Sequence, residues 1–296
     1  MRSHLQKIPW FNPLWIFIVL IWGNYGCAIS FPGNDLLRPS RAPLLQGEQL
    51  FHEGKLNEAE AVFSEALQED PHQPTLLNGR GYVYAKQGEW GRAIMDFEHA
   101  VRLVPHQTRY AENLGIAYLQ GGFPEKALQA FSQVLGRQPA SPQTLNGRGL
   151  ALSRLRRYQE AIRDFSNALQ FDGQPGHQTG EIYLNRAVAY VKSGLLREAK
   201  RDLDQAIYLN GSLGQAYESR GLLALMAGET PAAIEDLTTA ISLGSDGGLV
   251  HYNLGVALLL AGDRIKADKE YHLACKREVL QACGKPAAST ALRPML

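Results

Sequence analysis

Small and large apolar positions recur along this chain with a period of 34 residues. Gly47, Gly81, Gly115, Gly149, Ala187, Gly221 and Gly255 form one column. Ala59, Ala93, Ala127, Ala161, Ala199, Ala233 and Ala267 form a second, always twelve residues later. Phe63, Phe97, Phe131, Phe165, Leu203, Leu237 and Tyr271 follow the alanines by four, and Ala66, Ala100, Val134, Ala168, Ala206, Ala240 and Ala274 follow them by seven. Spacings of 0, 4 and 7 share one face of an α-helix. The glycine column shares a face of a preceding helix with the large residue three later (Leu50, Tyr84, Tyr118, Leu152, Tyr190, Leu258). Each period thus predicts a helical hairpin, and the array predicts an all-α solenoid of about seven of them.

The punctuation agrees. Gly54, Gly88, Gly122, Gly194, Gly228 and Gly262 occupy the place where the first helix needs a left-handed residue to end, and Arg156 takes that place in the fourth unit. Pro71, Pro105 and Pro139 stop the second helix in the first three units. One step in the columns is 38 residues rather than 34, and its extra residues fall in Gly173 to Gly180, a turn-forming stretch. Small residues on facing helix surfaces let the hairpin close tightly, with the aromatic or leucine filling the groove beside them.

This small-large-small-aromatic-small register resembles the tetratricopeptide repeat. The resemblance covers seven units (40–73, 74–107, 108–141, 142–175, 180–213, 214–247 and 248–281) and implies a right-handed superhelix that binds other proteins. Departures come late, where Gly173, Gly211, Ser245 and Val279 replace the terminal proline. A hairpin of this size cannot bury its apolar face alone, so the ends need solvated surfaces. Seven acidic residues in the first unit supply one, and Lys266, Lys269, Lys276 and Arg277 the other. Residues 282–296, with Pro286 and Pro294, read as a flexible tail.

The first thirty residues break the pattern. Arg2, His4 and Lys7 precede an apolar run from Leu14 to Trp22 and then GNYGC, the layout of a secretory signal. The run is short for a membrane span, and an uncleaved anchor is the other reading. Basic residues before the run, with none after it until Arg38, place the rest of the chain on the exported side. Residues 1–27 are therefore expected to be a signal or membrane anchor and 28–39 a linker. Gly26-Cys27 partly resembles the bacterial lipobox, in which the cysteine is lipidated, although Asn24 and Tyr25 depart from it.

Composition removes other classes. A formal net charge of +1 gives no global field for nucleic acid. Gly79-Arg80-Gly81 and Gly147-Arg148-Gly149 contain a GxG, yet they lie inside first helices and follow no strand, so they do not predict a phosphate-binding loop. The eight histidines form no HExxH pair, and no carboxylate pair stands out as acid and base; the acidic residues read as solvated second-helix faces. No catalytic residue, metal, cofactor or small-molecule substrate is expected.

What the array offers is a concave surface lined by first helices. Asn78, Asn113, Asn146, Asn185 and Asn253 fall near it, where an amide can donate to and accept from an extended peptide backbone, or serve only as a repeat residue. Arg109 shares that face. Arg148, Arg154, Arg156, Arg157 and Arg163 make the fourth unit basic, which suits an acidic segment or a solvated turn. Cys275 and Cys283 are too far apart to bridge on one continuous helix, but can meet if the helix ends near Arg277.

The expected function is thus a membrane-tethered adaptor at the cell envelope, periplasmic or extracellular, binding a peptide or partner helix. The alternatives are a structural subunit of an envelope assembly, an accessory domain of an enzyme, or a binder of an anionic polymer through the fourth unit.

Overall fold

Fourteen α-helices in seven antiparallel hairpins account for nearly all of the computed structural model, which describes residues 41–173 and 176–283. The expected signal segment, Cys27, the linker and the tail beyond Cys283 lie outside the described residues. The hairpins are α1 (Arg41–His52) with α2 (Leu56–Glu69), α3 (Pro74–Gln87) with α4 (Trp90–Leu103), and α5 (Thr108–Gln120) with α6 (Pro124–Leu135). They continue as α7 (Pro142–Arg154) with α8 (Tyr158–Phe171), α9 (His177–Lys192) with α10 (Leu196–Leu209), α11 (Gly214–Met226) with α12 (Thr230–Ser242), and α13 (Gly248–Leu260) with α14 (Arg264–Lys276). A short 3-10 turn, Leu280–Ala282, comes last.

Each second helix packs on its own first helix and on the first helix of the next hairpin. First helices of neighbouring hairpins also touch, α7 with α9 and α11 with α13 for example, whereas second helices make no comparable contact with one another among the described residues. First helices therefore line the inner side of the stack. They are buried nearly all round, and the second helices bury one stripe each.

The glycine and aromatic columns meet across the hairpin. A Cβ added to Gly81, Gly115, Gly149 or Gly255 would fall 2.6–2.8 Å from the ring of Phe97, Phe131, Phe165 or Tyr271 respectively. Rings also reach the next hairpin: a Cβ at Gly79 would lie 2.8 Å from Phe63, and one at Gly147 would lie 2.7 Å from Phe131. The two GxG runs are thereby explained by packing, one glycine admitting its own hairpin's ring and the other its neighbour's.

All six predicted turn glycines have φ between 77° and 86°, and Arg156 takes the same conformation at φ 60°. A left-handed residue with a Cβ costs about 1–2 kcal/mol, part of which glycine returns through its freer unfolded state. Arg156→Gly is expected to stabilise the protein by about 0.5–1 kcal/mol, read as a raised urea midpoint at unchanged slope. An unchanged or lowered midpoint would contradict this.

Two features differ from the sequence reading. The four-residue insertion is not all loop, because α9 begins at His177 and runs 16 residues against 12 to 14 for the other helices. Thr179 fixes that start, accepting the Gly176 N–H at 2.8 Å while its hydroxyl donates to Asp172. At the far end, charge is not the only cap. Cys275 and Cys283 are joined by a disulfide that folds the 3-10 turn back, and Ala282 is buried in the last core cluster. His251, 3% exposed, adds a polar clamp: its ring nitrogens lie 2.6 Å from Glu270 of α14 and 2.6 Å from Asp246 of the preceding turn, which Arg277 also binds.

Candidate interaction groove

Helical geometry decides which side chains face the inner side. Residues at relative positions 0, 4, 7 and 11 along each first helix fall on one narrow stripe. In α9 these are Glu181, Asn185, Val188 and Lys192; in α7 they end at Arg154, in α11 at Met226 and in α13 at Leu260. The structure opens a cavity of about 390 Å³ there, lined by Leu150, Ser153 and Arg154 of α7, Asn185, Val188 and Lys192 of α9, and Glu218 of α11 among others. Val188 is 41% exposed, Met226 42% and Leu260 64%, apolar surface that the scaffold leaves uncovered.

The asparagines do not line this groove as an open row, which corrects the expectation. Asn78, Asn113, Asn146 and Asn253 are buried, and only Asn185 is half-buried and borders the cavity. Asn113 Nδ2 donates to Asn78 Oδ1 at 2.8 Å, and Asn185 Nδ2 donates to Asn146 Oδ1 at 3.0 Å. The reason is register: the amide two residues before the glycine column in one unit meets the amide three before it in the unit behind, where first helices touch. Buried amides seek partners, and these two pairs each gain one bond, although Asn78 Nδ2 is left without a partner. Arg109 is half-buried near the Tyr82 hydroxyl, whose ionisation burial pushes upward.

The basic fourth unit also resolves differently. Arg148 is not presented to a partner: its guanidinium forks onto Asp164 at 2.7 and 2.8 Å, and Asp164 is buried. Arg157 forks onto Glu160, and Arg156 belongs to the turn. Arg154 alone of these lines the cavity. The Arg148–Asp164 arrangement recurs as Arg80–Asp96, Arg186–Asp202 and Arg220–Asp236, each sixteen residues apart. The four aspartates are 5–7% exposed, so the second-helix carboxylates are not all solvated faces as expected. A third N–H of Arg80, Arg186 and Arg220 crosses to Ser64, Ser166 and Asp204 on the preceding second helix. The column was visible in sequence as an Arg before the glycine and an Asp before the aromatic.

In the first unit, Glu48 lies on the same inner stripe with one carboxylate oxygen buried and unpartnered. Burial pushes its carboxyl from the usual 4.5 to about 7. A raised carboxyl holds its proton more tightly when folded, so its cost is absent below about pH 4.5 and grows as pH rises toward 7. Glu48→Gln is expected to stabilise the protein by about 1 kcal/mol at pH 8, after allowance for partial solvent exposure, and by nothing at pH 4. Equal effects at both pH values would reject this.

A tetratricopeptide repeat family model matches residues 112–176, 184–248 and 219–263, and a second, described as a TPR repeat, matches 47–88. Together they span more than half of the chain and keep step with the hairpins. This chain is a tetratricopeptide repeat protein. No curated protein sequence matches it. Among solved structures it is similar to a tetratricopeptide repeat protein from Parabacteroides merdae, at 21% identity and TM-score 0.66, covering 81% of this chain and 95% of that one. It is similar to the Cut9–Hcn1 assembly of APC/C at 23% and 0.65, covering 73% of this chain and 42% of that one. It is also similar to pilF of Pseudomonas aeruginosa at 17% and 0.62, covering 71% and 97%. At these identities the likeness shows the fold.

Tetratricopeptide repeat proteins are in general non-catalytic scaffolds that bind other proteins. Among the described residues of this one, no three His, Cys, Asp or Glu side chains gather in a way that could hold a metal ion. No described helix is long and apolar enough to cross a membrane.

Proposed function

We propose that this tetratricopeptide repeat protein is a non-catalytic adaptor at the cell envelope, whose inner groove holds an extended segment or a helix of another protein. The observation that carries the reading is the cavity shared by α7, α9 and α11, where the apolar Val188 stays 41% exposed. An extended chain or an amphipathic helix is the shape that fills such a groove.

Export rests on the N-terminal layout of Arg2, Lys7 and the run from Leu14 to Trp22, and a disulfide between Cys275 and Cys283 suits an oxidising compartment. Tethering is through lipidated Cys27 or an uncleaved anchor. PilW, a structural neighbour at 18% identity, is described as a type IV pilus biogenesis factor, but partners are not carried over at that distance.

A photo-crosslinking side chain placed at Val188 in cells is expected to give discrete protein adducts, while one at Met95, exposed on α4, is not. Equal labelling at both, or none at Val188, would reject the groove. Mass spectrometry of the mature N-terminus is expected to find a diacylated Cys27 or an intact anchor. A cytosolic chain with an unprocessed, unmodified terminus would reject the envelope assignment.

A further inference from the structure

Exposed hydrocarbon gathers in the turns inside the last three hairpins. Leu260 is 64% exposed and Ile265 74%, and Leu195, Leu196 and Met226 are exposed in the two turns before them. The stack itself does not ask for apolar residues here. The column of Ile265 reads Asn57, Gly91, Glu125, Gln159, Arg197 and Pro231 in the earlier hairpins, and Leu195 stands where the first two have Lys55 and Glu89. Every hairpin meets the same packing demand, so large aliphatic side chains found in the later turns and left in water answer something outside the scaffold.

These turns share one edge. α10 packs on α11 and α12 on α13, so hairpins five to seven stack in the same register, and Lys200 of α10 reaches Glu229 in the next hairpin's turn at 3.2 Å. Lys192, Arg197, Arg264 and Lys269 stand exposed beside the aliphatic side chains, and none of the four forms an ion pair among the described residues. Two of the acidic residues are already engaged, Glu229 by Lys200 and Asp263 by Lys266 and by its capping of α14. Across 192–200, 226–230 and 260–269 the edge has six Lys or Arg and four Asp or Glu, whereas the first hairpin's equivalent turn, 52–60, has one and three.

We infer that this edge is a membrane contact of the folded array, lying on an anionic phospholipid surface with Leu195, Leu260 and Ile265 at the acyl boundary and the four basic side chains among the headgroups. It rests on the envelope reading only for a bilayer within reach, and it adds a contact separate from the N-terminal segment. Aliphatic tips flanked by cations suit that surface: the hydrocarbon enters the boundary while long basic side chains keep their charge in the headgroup layer. A protein partner is a poorer match. Interface anchors are enriched in Trp, Tyr and Arg and sit in well-packed pockets, whereas these are separate aliphatic residues on protruding turns, which a fluid surface accepts without a complementary shape.

The full-length chain in vesicles, carrying a photo-crosslinking side chain at Ile265 or at its counterpart Asn57, tests this. With phosphatidylcholine containing about one third phosphatidylglycerol, lipid adducts at Ile265 are expected to exceed those at Asn57 about tenfold, although Asn57 lies in the hairpin nearest the N-terminal segment. Adducts at Ile265 should fall about tenfold in Arg264→Gln/Lys269→Gln, in phosphatidylcholine alone, and at high salt. Both substituted residues are exposed, so the urea midpoint should not move. Flotation with phosphatidylcholine alone reads the tether separately. A chain that floats there but labels lipid equally at Ile265 and Asn57, or labels it at Ile265 regardless of lipid charge, would overturn the edge and leave the tether. A chain that does not float there yet labels lipid at Ile265 on anionic vesicles would overturn the tether and leave the edge. In cells, discrete protein adducts at Ile265 in place of lipid would assign the edge to a partner protein and overturn the membrane contact.

Discussion

Gly149→Leu is expected to cost about 3 kcal/mol and to loosen the fourth hairpin before the rest of the array. The Phe165 ring is fully buried, and a Cβ at Gly149 would already lie 2.6 Å from its Cε1, closer than real carbon contacts allow. Leucine adds three further carbons to that overlap, and overpacking of a closed core costs about 1–3 kcal/mol, with this case at the upper end. Alanine is the sharper test, because its helix propensity exceeds that of glycine by about 1 kcal/mol. Gly149→Ala should nevertheless destabilise by about 1 kcal/mol, the clash outweighing the propensity.

The chain itself contains the compensated version. The fifth hairpin has Ala187 opposite Leu203, both fully buried. Gly149→Ala/Phe165→Leu should therefore lose less than the sum of its two single changes. Recovery will be partial, since in the sixth hairpin a Cβ at Gly221 would still approach Leu237 Cγ to 2.9 Å. Urea midpoints and hydrogen exchange resolved by hairpin give the readout; additive losses would show that the two columns do not meet as described.

That these columns face each other was legible in the sequence, because hairpin packing repeats the same demand at every period. So was the need for left-handed turn residues, down to Arg156 as the one without glycine. The amides were not legible in the same way. Asn78 and Asn146 stand three before the glycine, Asn113, Asn185 and Asn253 two before, and a one-residue shift on a helix turns a side chain by about 100°. Only the contact between neighbouring first helices shows that Asn113 answers Asn78 and Asn185 answers Asn146. The cap was half legible: the cysteines pointed to a closing turn, whereas the His251 clamp joins three segments by contacts that follow no repeat column.

The largest polar effect is expected at Arg186 and Asp202. Asp202→Ala should cost about 3 kcal/mol, because it leaves a guanidinium that is only 17% exposed without its carboxylate. Arg186 also donates to Ser166 at 3.0 Å across the junction between the fourth and fifth hairpins, the junction that carries the inserted residues. Losing the fork should therefore be felt on both sides of it, as faster exchange at the end of α8 and in α9 together. The third hairpin shows how the chain does without the pair. It places Leu114 and Ala130 at the equivalent positions, each 7% exposed, and packs them as hydrocarbon. Arg186→Leu/Asp202→Ala should recover to within about 1 kcal/mol of the wild type, since replacing both partners removes the stranded charge that makes the single change costly. A double variant as unstable as Asp202→Ala alone would mean that the crossing to Ser166, and not the buried fork, holds that junction; a single variant losing under about 0.5 kcal/mol would mean that water already screens the pair.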